Sequence, residues 1–256
     1  MTPVTPRMWV PVDRFAGGRF EVRLNVASAL DDAALALIGQ ALDRLCRAAN
    51  CGACPPPSAS PAAVRLTATP ARVDAGTVAI DLSAEGFDLY GLELLRNMLA
   101  RLERDNVFTR AIMATRVGDM QPSVEKPGPV DDPQAADYPA MSSEVSFDVA
   151  YADVDYGKFR RCLIDFIHPV DRALASRVDA IATTWFELLE AGAFAMPLGR
   201  ANEVHCIAGA ATLFDERAME ITVDRFQASE SAWEALLNML DAGWHDAGPI
   251  HTVTVE

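Results

Sequence analysis

Three cysteines fall close together at Cys46, Cys51 and Cys54, spaced C-x4-C-x2-C. Thiolates at C-x2-C spacing suit a tetrahedral zinc ion or an iron–sulfur cluster, and they also suit thiol–disulfide exchange. A structural zinc wants four ligands, and the chain has no second C-x2-C, so Cys206 beside His205 would have to complete the set. Redox pairs of the thioredoxin type come after a strand, whereas these thiols sit at the end of an expected helix. A metal site, a redox pair or disulfide, and plain thiols therefore all stay open.

The histidines, His168, His205, His245 and His251, are scattered. Asp165 precedes His168 and Asp246 follows His245, but neither pair has a nucleophile beside it. A triad is defined in space rather than in sequence, and a lone histidine is ordinarily structural or on the surface. Carboxylates gather at Asp148, Asp153 and Asp155, with Glu144 upstream; Asp81, Glu85 and Asp88 form a weaker counterpart. If the strand through Asp148 continues, Asp153 and Asp155 share a face, where they could take Ca²⁺ or Mg²⁺ or pair with basic groups of a partner. Trp244, near a helix end, is the candidate interface anchor, while Trp9, Trp185 and Trp233 read as core or rim aromatics. The Gly17-Gly18 turn precedes a strand and lacks the helix that a phosphate site requires. Asp148, Asp153, Asp155 and Trp244 are the expected partner-binding residues. No residue is assigned a catalytic, cofactor-binding or metal-binding role, and no cofactor is expected.

The elements that position these groups follow from periodicity. Phe20 to Val26 alternates apolar with polar, as a half-buried strand does. Leu35, Ile38, Leu42 and Leu45 form one stripe of a helix that stops near Cys51-Gly52. Val64–Thr69 and Thr77–Leu82 make a hairpin, Leu92, Leu95, Leu99 and Leu102 mark a second helix, and Ala111–Thr115 closes the sheet. Residues 117–142, with several prolines and little periodicity, read as an extended linker. The order then begins again with the alternation at Phe147, Val149 and Tyr151. Tyr156–Pro169 has no clear counterpart in the first half. Leu174, Val178, Ile181, Trp185 and Leu188 form a helical stripe ending at Gly192, a natural residue just past a helix end. Val204–Thr212 and Ala218–Val223 form a hairpin. Ser231-Ala232-Trp233-Glu234 is a capping box, and Thr252–Glu256 is the last strand.

The halves share text as well as order. Leu92–Leu99 reappears 141 positions later as Trp233–Leu240. The expected fold is α+β: two tandem ferredoxin-like (split βαβ) lobes, residues 1–116 and 143–256, each a four-stranded antiparallel sheet with two helices on one face.

Composition bounds the function. The chain has 256 residues, half of them apolar, which is enough for two cores. A net charge of −14 argues against nucleic acid and anionic membrane surfaces, and suits a basic protein partner. No apolar run reaches the ~20 residues that span a bilayer, the N-terminus lacks a signal peptide's apolar stretch, and the odd cysteine count does not suggest a disulfide framework. The expectation is a cytoplasmic protein.

The stretch Ser231–Leu240, then Ala242-Gly243-Trp244 and a closing strand, resembles the C-terminal helix and strand of immunity proteins of bacterial polymorphic toxin systems. The resemblance covers the C-terminal region alone and has no invariant chemical motif. It implies a non-enzymatic inhibitor that neutralises a cognate toxin by occluding its active site. The alternatives are an enzyme of the dimeric α+β barrel kind, or a small-molecule sensor, with ligand between the lobes.

Overall fold

The computed structural model describes residues 7–9, 18–25, 29–54, 65–74, 77–85, 89–105, 107, 112–117, 145–152, 159–194, 211–224, 228, 231–244 and 248–256. The expected linker lies almost wholly outside them. The chain forms two compact units: Met1–Asn50 with Pro56–Ala140, and Met141–Glu256 with the short segment Cys51–Pro55.

The first unit runs β1 (Arg7–Trp9), β2 (Gly18–Asn25), α1 (Asp32–Asn50), β3 (Arg65–Asp74), β4 (Thr77–Glu85), α2 (Leu89–Arg104) and β5 (Ile112–Val117). The second runs β6 (Asp148–Tyr151), β7 (Phe159–Phe166), α3 (Arg172–Glu190), β8 (Ala211–Asp215), β9 (Ala218–Asp224), α4 (Ser231–Ala242) and β10 (Ile250–Val255). The sheet orders are β1-β5-β2-β4-β3 and β6-β10-β7-β9-β8, so the two units repeat one topology. The offset of 141 positions also separates Gly18 from Phe159 and Thr77 from Ala218, the first residues of corresponding strands.

The sheets differ from the sequence expectation in two respects. Each has five strands, because β1 and β6 add a strand that pairs parallel to β5 and β10, so the sheets are mixed rather than purely antiparallel. The Phe147–Tyr151 strand is therefore not the counterpart of β2. It matches β1, and β7, inside the segment that had no evident partner, matches β2. The cause lies in β7 itself. Buried Arg160, Cys162, Ile164 and Phe166 alternate with half-buried Arg161, Leu163 and Asp165, so a charged residue points inward and a leucine outward. That pattern defeats a simple apolar/polar alternation.

In the first unit Leu24, Ile38, Leu42, Leu45, Leu66, Val78, Ile80, Leu95 and Leu99 are fully enclosed. Each such side chain contributes roughly 1.5–3 kcal/mol relative to leaving it in water. Asn50, the last residue of α1, ties the helix to β3: the Leu66 amide donates to its Oδ1 at 2.8 Å, and its Nδ2 donates to the Leu66 carbonyl at 3.3 Å.

The second core is aromatic. Trp185 of α3 stacks obliquely on Trp233 of α4 with centroids 5.0 Å apart, and its indole N–H donates to the Ala232 carbonyl at 2.7 Å. At its start, α3 is capped by Asp171, whose carboxylate accepts from the Leu174 amide at 2.8 Å. At its end, Gly192 takes φ 75°, its amide donates to Leu189, and the Ala193 amide donates to Leu188. These paired bonds satisfy carbonyls that the helix leaves open.

A side chain at Gly192 would incur the left-handed penalty that glycine escapes. Gly192→Ala should therefore destabilise the protein by about 1–2 kcal/mol, read as a lower urea midpoint at unchanged slope. An unchanged midpoint would show that this cap does not hold α3.

Candidate functional site

The segments that carry the two described candidates, Asp148 and Trp244, are joined by a hydrogen-bonded pair in the second unit. The Ser146 amide and hydroxyl both donate to Asp241 Oδ1, at 2.9 and 2.5 Å. This fixes the entry to β6 against the exit of α4. Asp148 is exposed and lies opposite Thr252 of β10. Trp244 is half-buried: the Arg177 guanidinium lies 5.1 Å from its ring centroid, and Gly248 lies so close that an added Cβ would come within 3.0 Å of the Trp244 Cβ. The indole is thus a rim aromatic fixed by a cation–π contact, with part of its surface open. Strand β6 ends at Tyr151, and Glu144, Asp153 and Asp155 lie outside the described residues.

Chemistry at the cysteines is muted by their surroundings. Cys46, on α1, is half-buried, Cys51 is exposed and Cys54 is buried; with buried Cys162, none of them is in a disulfide. Burial, and then the negative charge of Asp43, push the Cys46 thiol up to about 11, against a weaker opposing hydrogen bond at the Ala68 backbone. Burial alone pushes Cys162 up to about 12. The thiolate is the form that attacks and that binds metal, so Cys46 is a poor nucleophile and a poor ligand near neutral pH. Among the described residues no group of three or more His, Cys, Asp or Glu side chains could hold a metal ion. His205 and Cys206, which would have completed a zinc set, lie outside them, as do His245, Asp246 and Asp88. His168 and His251 are exposed, and Asp81 and Glu85 belong to β4.

A feature that periodicity does not reveal is the exposure of β8. This strand ends its sheet, and four of its five residues, Thr212 to Asp215, are exposed. Leu213 is 61% and Phe214 52% exposed. The sequence places Leu213 and Phe214 between the expected strands Val204–Thr212 and Ala218–Val223, whereas the structure makes them part of the terminal strand of the sheet. The signal present in the sequence was negative: Ala211–Asp215 contains no Pro, Lys or Arg.

Comparison with protein families gives no match, and comparison with curated proteins gives none either. Among solved structures the chain is similar to a mutant of the ferredoxin protease FusC in complex with Arabidopsis ferredoxin, at 10% identity and a TM-score of 0.21. The alignment covers 93% of this chain and 34% of that one. A likeness so slight carries no argument.

The thiols make a testable set. Alkylation of the native protein with iodoacetamide at neutral pH should modify exposed Cys51 first and leave Cys46 and Cys162 unmodified until the chain unfolds, as read by peptide mass spectrometry. The sign of the pH effect follows from the raised thiols. Unfolded thiols ionise near their ordinary value of 9.0, while Cys46 in the folded chain stays neutral to about 11. Stability from this group is therefore intact below pH 9.0 and declines as pH rises toward 11. Cys46→Ser should flatten that decline; an equally steep decline in the variant would remove Cys46 as its source.

Proposed function

We propose that this chain is a non-enzymatic protein-binding protein, an immunity-type inhibitor that neutralises a cognate toxin by occluding its active site. The observation that carries the reading is charge. The chain holds 36 acidic against 22 basic residues. In the second unit the exposed acids among the described residues are Asp148, Asp171, Asp179, Glu190, Asp215 and Glu216, against exposed Arg172, Arg177 and Arg217. A surface of this sign steers a cationic partner and repels nucleic acid. Asp148 and Trp244 supply a carboxylate and a partly open aromatic for such a partner; Asp153 and Asp155, proposed with them, lie outside the described residues.

Each unit, on this reading, is a ferredoxin-like lobe extended by one edge strand. The support is the order of its inner strands, β5-β2-β4-β3 and β10-β7-β9-β8, all antiparallel neighbours, with the two helices of each unit in contact with one another. The proposed setting is the cytoplasm. No helix among the described residues is long and apolar enough to cross a membrane.

Affinity capture from the native host, with mass spectrometry of what is retained, would identify the partner, and a stoichiometric amount of this chain should then abolish that partner's toxic activity. A captured protein whose activity persists under excess inhibitor would sink the reading. Association should also be steered: raising ionic strength from low to high should slow the association rate by about tenfold or more and leave dissociation little changed. Asp148→Lys should slow association in the same direction at low salt. A salt-insensitive association rate would show that charge does not guide the encounter.

A further inference from the structure

We propose that the outer edge of β8 is a docking strand, which takes an extended, cationic segment of a partner polypeptide as an added strand of the second sheet. Only the cationic character of the occupant rests on the proposed function; the open edge stands apart from it.

The sheet order leaves β8 terminal, hydrogen-bonded among the described residues to β9 alone. Alternate backbone N–H and C=O groups of such a strand point away from its neighbour and form a template for another strand. Proteins usually blunt such edges with proline or basic side chains. The equivalent edge in the first unit, β3, follows this rule and carries Arg65, Pro70 and Arg72. Pro70 lies within the ladder opposite Ile80, and having no N–H it cannot donate to any strand. Strand β8, Ala-Thr-Leu-Phe-Asp, is short and bulged between Leu213 and Asp215 but has neither proline nor a basic residue, and it holds Leu213 and Phe214 more than half exposed. One topology thus appears with an edge that carries proline and arginine and with one that, among the described residues, has no strand beyond it.

Charge selects the occupant. Asp215 and Glu216 are exposed at the β8–β9 turn, and the Thr212 hydroxyl donates to Glu220 Oε1 at 3.3 Å, which brings that carboxylate beside the strand. Arg217 is the cation within that turn. A second copy of the chain would bring another −14 to the same edge, and like charges at an interface oppose association. A segment alternating Val, Leu or Ile with Lys or Arg fits instead. Its backbone completes the ladder, its apolar residues lie on the face that Leu213 shares with Met219, and its cations lie on the face that Thr212 shares with Glu220. This is strand addition, in which main-chain bonds give affinity and alternate side chains give specificity.

The probe is a capped peptide alternating Lys and Val, added to the full chain, with an otherwise identical Glu–Val peptide as its control. Saturating Lys–Val peptide should slow amide hydrogen exchange across Ala211–Asp215 by about tenfold or more, and its affinity should fall by at least about that factor from low to high salt. Leu213→Lys and Phe214→Lys, both at exposed positions, should each weaken binding about tenfold while leaving the melting temperature unchanged. The proposal is overturned if exchange across β8 is unchanged at saturation, if the Glu–Val peptide binds as well, or if both lysine variants bind normally. It is equally overturned if sedimentation shows a dimer that Phe214→Lys dissolves, since the occupant would then be a second copy. The two readings fail separately. A toxin inhibited alike by wild type and Phe214→Lys would end the docking strand and keep the inhibitor. Peptide docking at β8 with a captured toxin left active would do the reverse.

Discussion

The second unit is organised around a buried positive charge. Arg160 is 8% exposed, its guanidinium lies 5.7 Å from the Trp233 ring centroid, and its Nε donates to the Glu256 carbonyl at 3.0 Å. A cation taken out of water costs several kcal/mol unless its surroundings replace the lost hydration. Here the face of an indole and a backbone carbonyl do so, and they come from α4 and from the end of β10. The next residue, Arg161, points to the opposite face and pairs with the Glu256 carboxylate, while the Arg161 and Glu256 backbones exchange hydrogen bonds at 3.0 and 2.8 Å. A slip of one residue between β7 and β10 would reverse both arginines and strand one charge in the aromatic core. The register of the central strands, and through Trp233 the seat of α4 on the sheet, follow from that constraint.

The helices were legible because their stripes obey one rule. Ile38, Leu42 and Leu45, or Val178, Trp185 and Leu188, recur at helical spacing and are all fully buried, and the glycines that end α1 and α3, Gly52 and Gly192, take φ values of 94° and 75°. The first hairpin was legible in place but not in length, since β3 runs on through Pro70 to Asp74, which its edge position permits; of the strand expected at Val204–Thr212 only Ala211 and Thr212 fall in β8, and residues 204–210 lie outside the described residues. Strands β1 and β7 were not. β1 is three residues long and owes its existence to parallel pairing with β5, more than a hundred positions away, a relation that no local pattern encodes. β7 hides behind Arg160, because the burial of that charge depends on a tryptophan and a carbonyl far along the chain. Of the candidate site, Asp148 and Trp244 were chosen from the sequence alone. The Ser146–Asp241 bond that brings their elements together could not be read there, for it joins residues 95 positions apart.

Repetition of one topology makes the differences between the units informative. Asn97 and Asn238 stand at the 141-residue offset, and both are nearly buried on corresponding helices, so even a polar group within the packing is retained. At the same offset the sequence has Leu92 where α4 has Trp233, and Arg19 where β7 has Arg160. The arginine is thus present at both positions and the tryptophan at one, so the two units share a topology without sharing this residue pair.

The edges diverge in the same way, and charge links the two differences. An open strand edge that exposes Leu213 and Phe214 would ordinarily invite edge-to-edge self-association. Two features oppose this outcome: β8 is only five residues long, with a bulge between Leu213 and Asp215, and each copy carries a net charge of −14. A short, bulged edge gives little pairing energy by itself, so repulsion between copies can outweigh it, whereas attraction to a cationic strand adds to it. The acidic composition that opposes association between copies is thus the same property that would admit a partner of opposite sign.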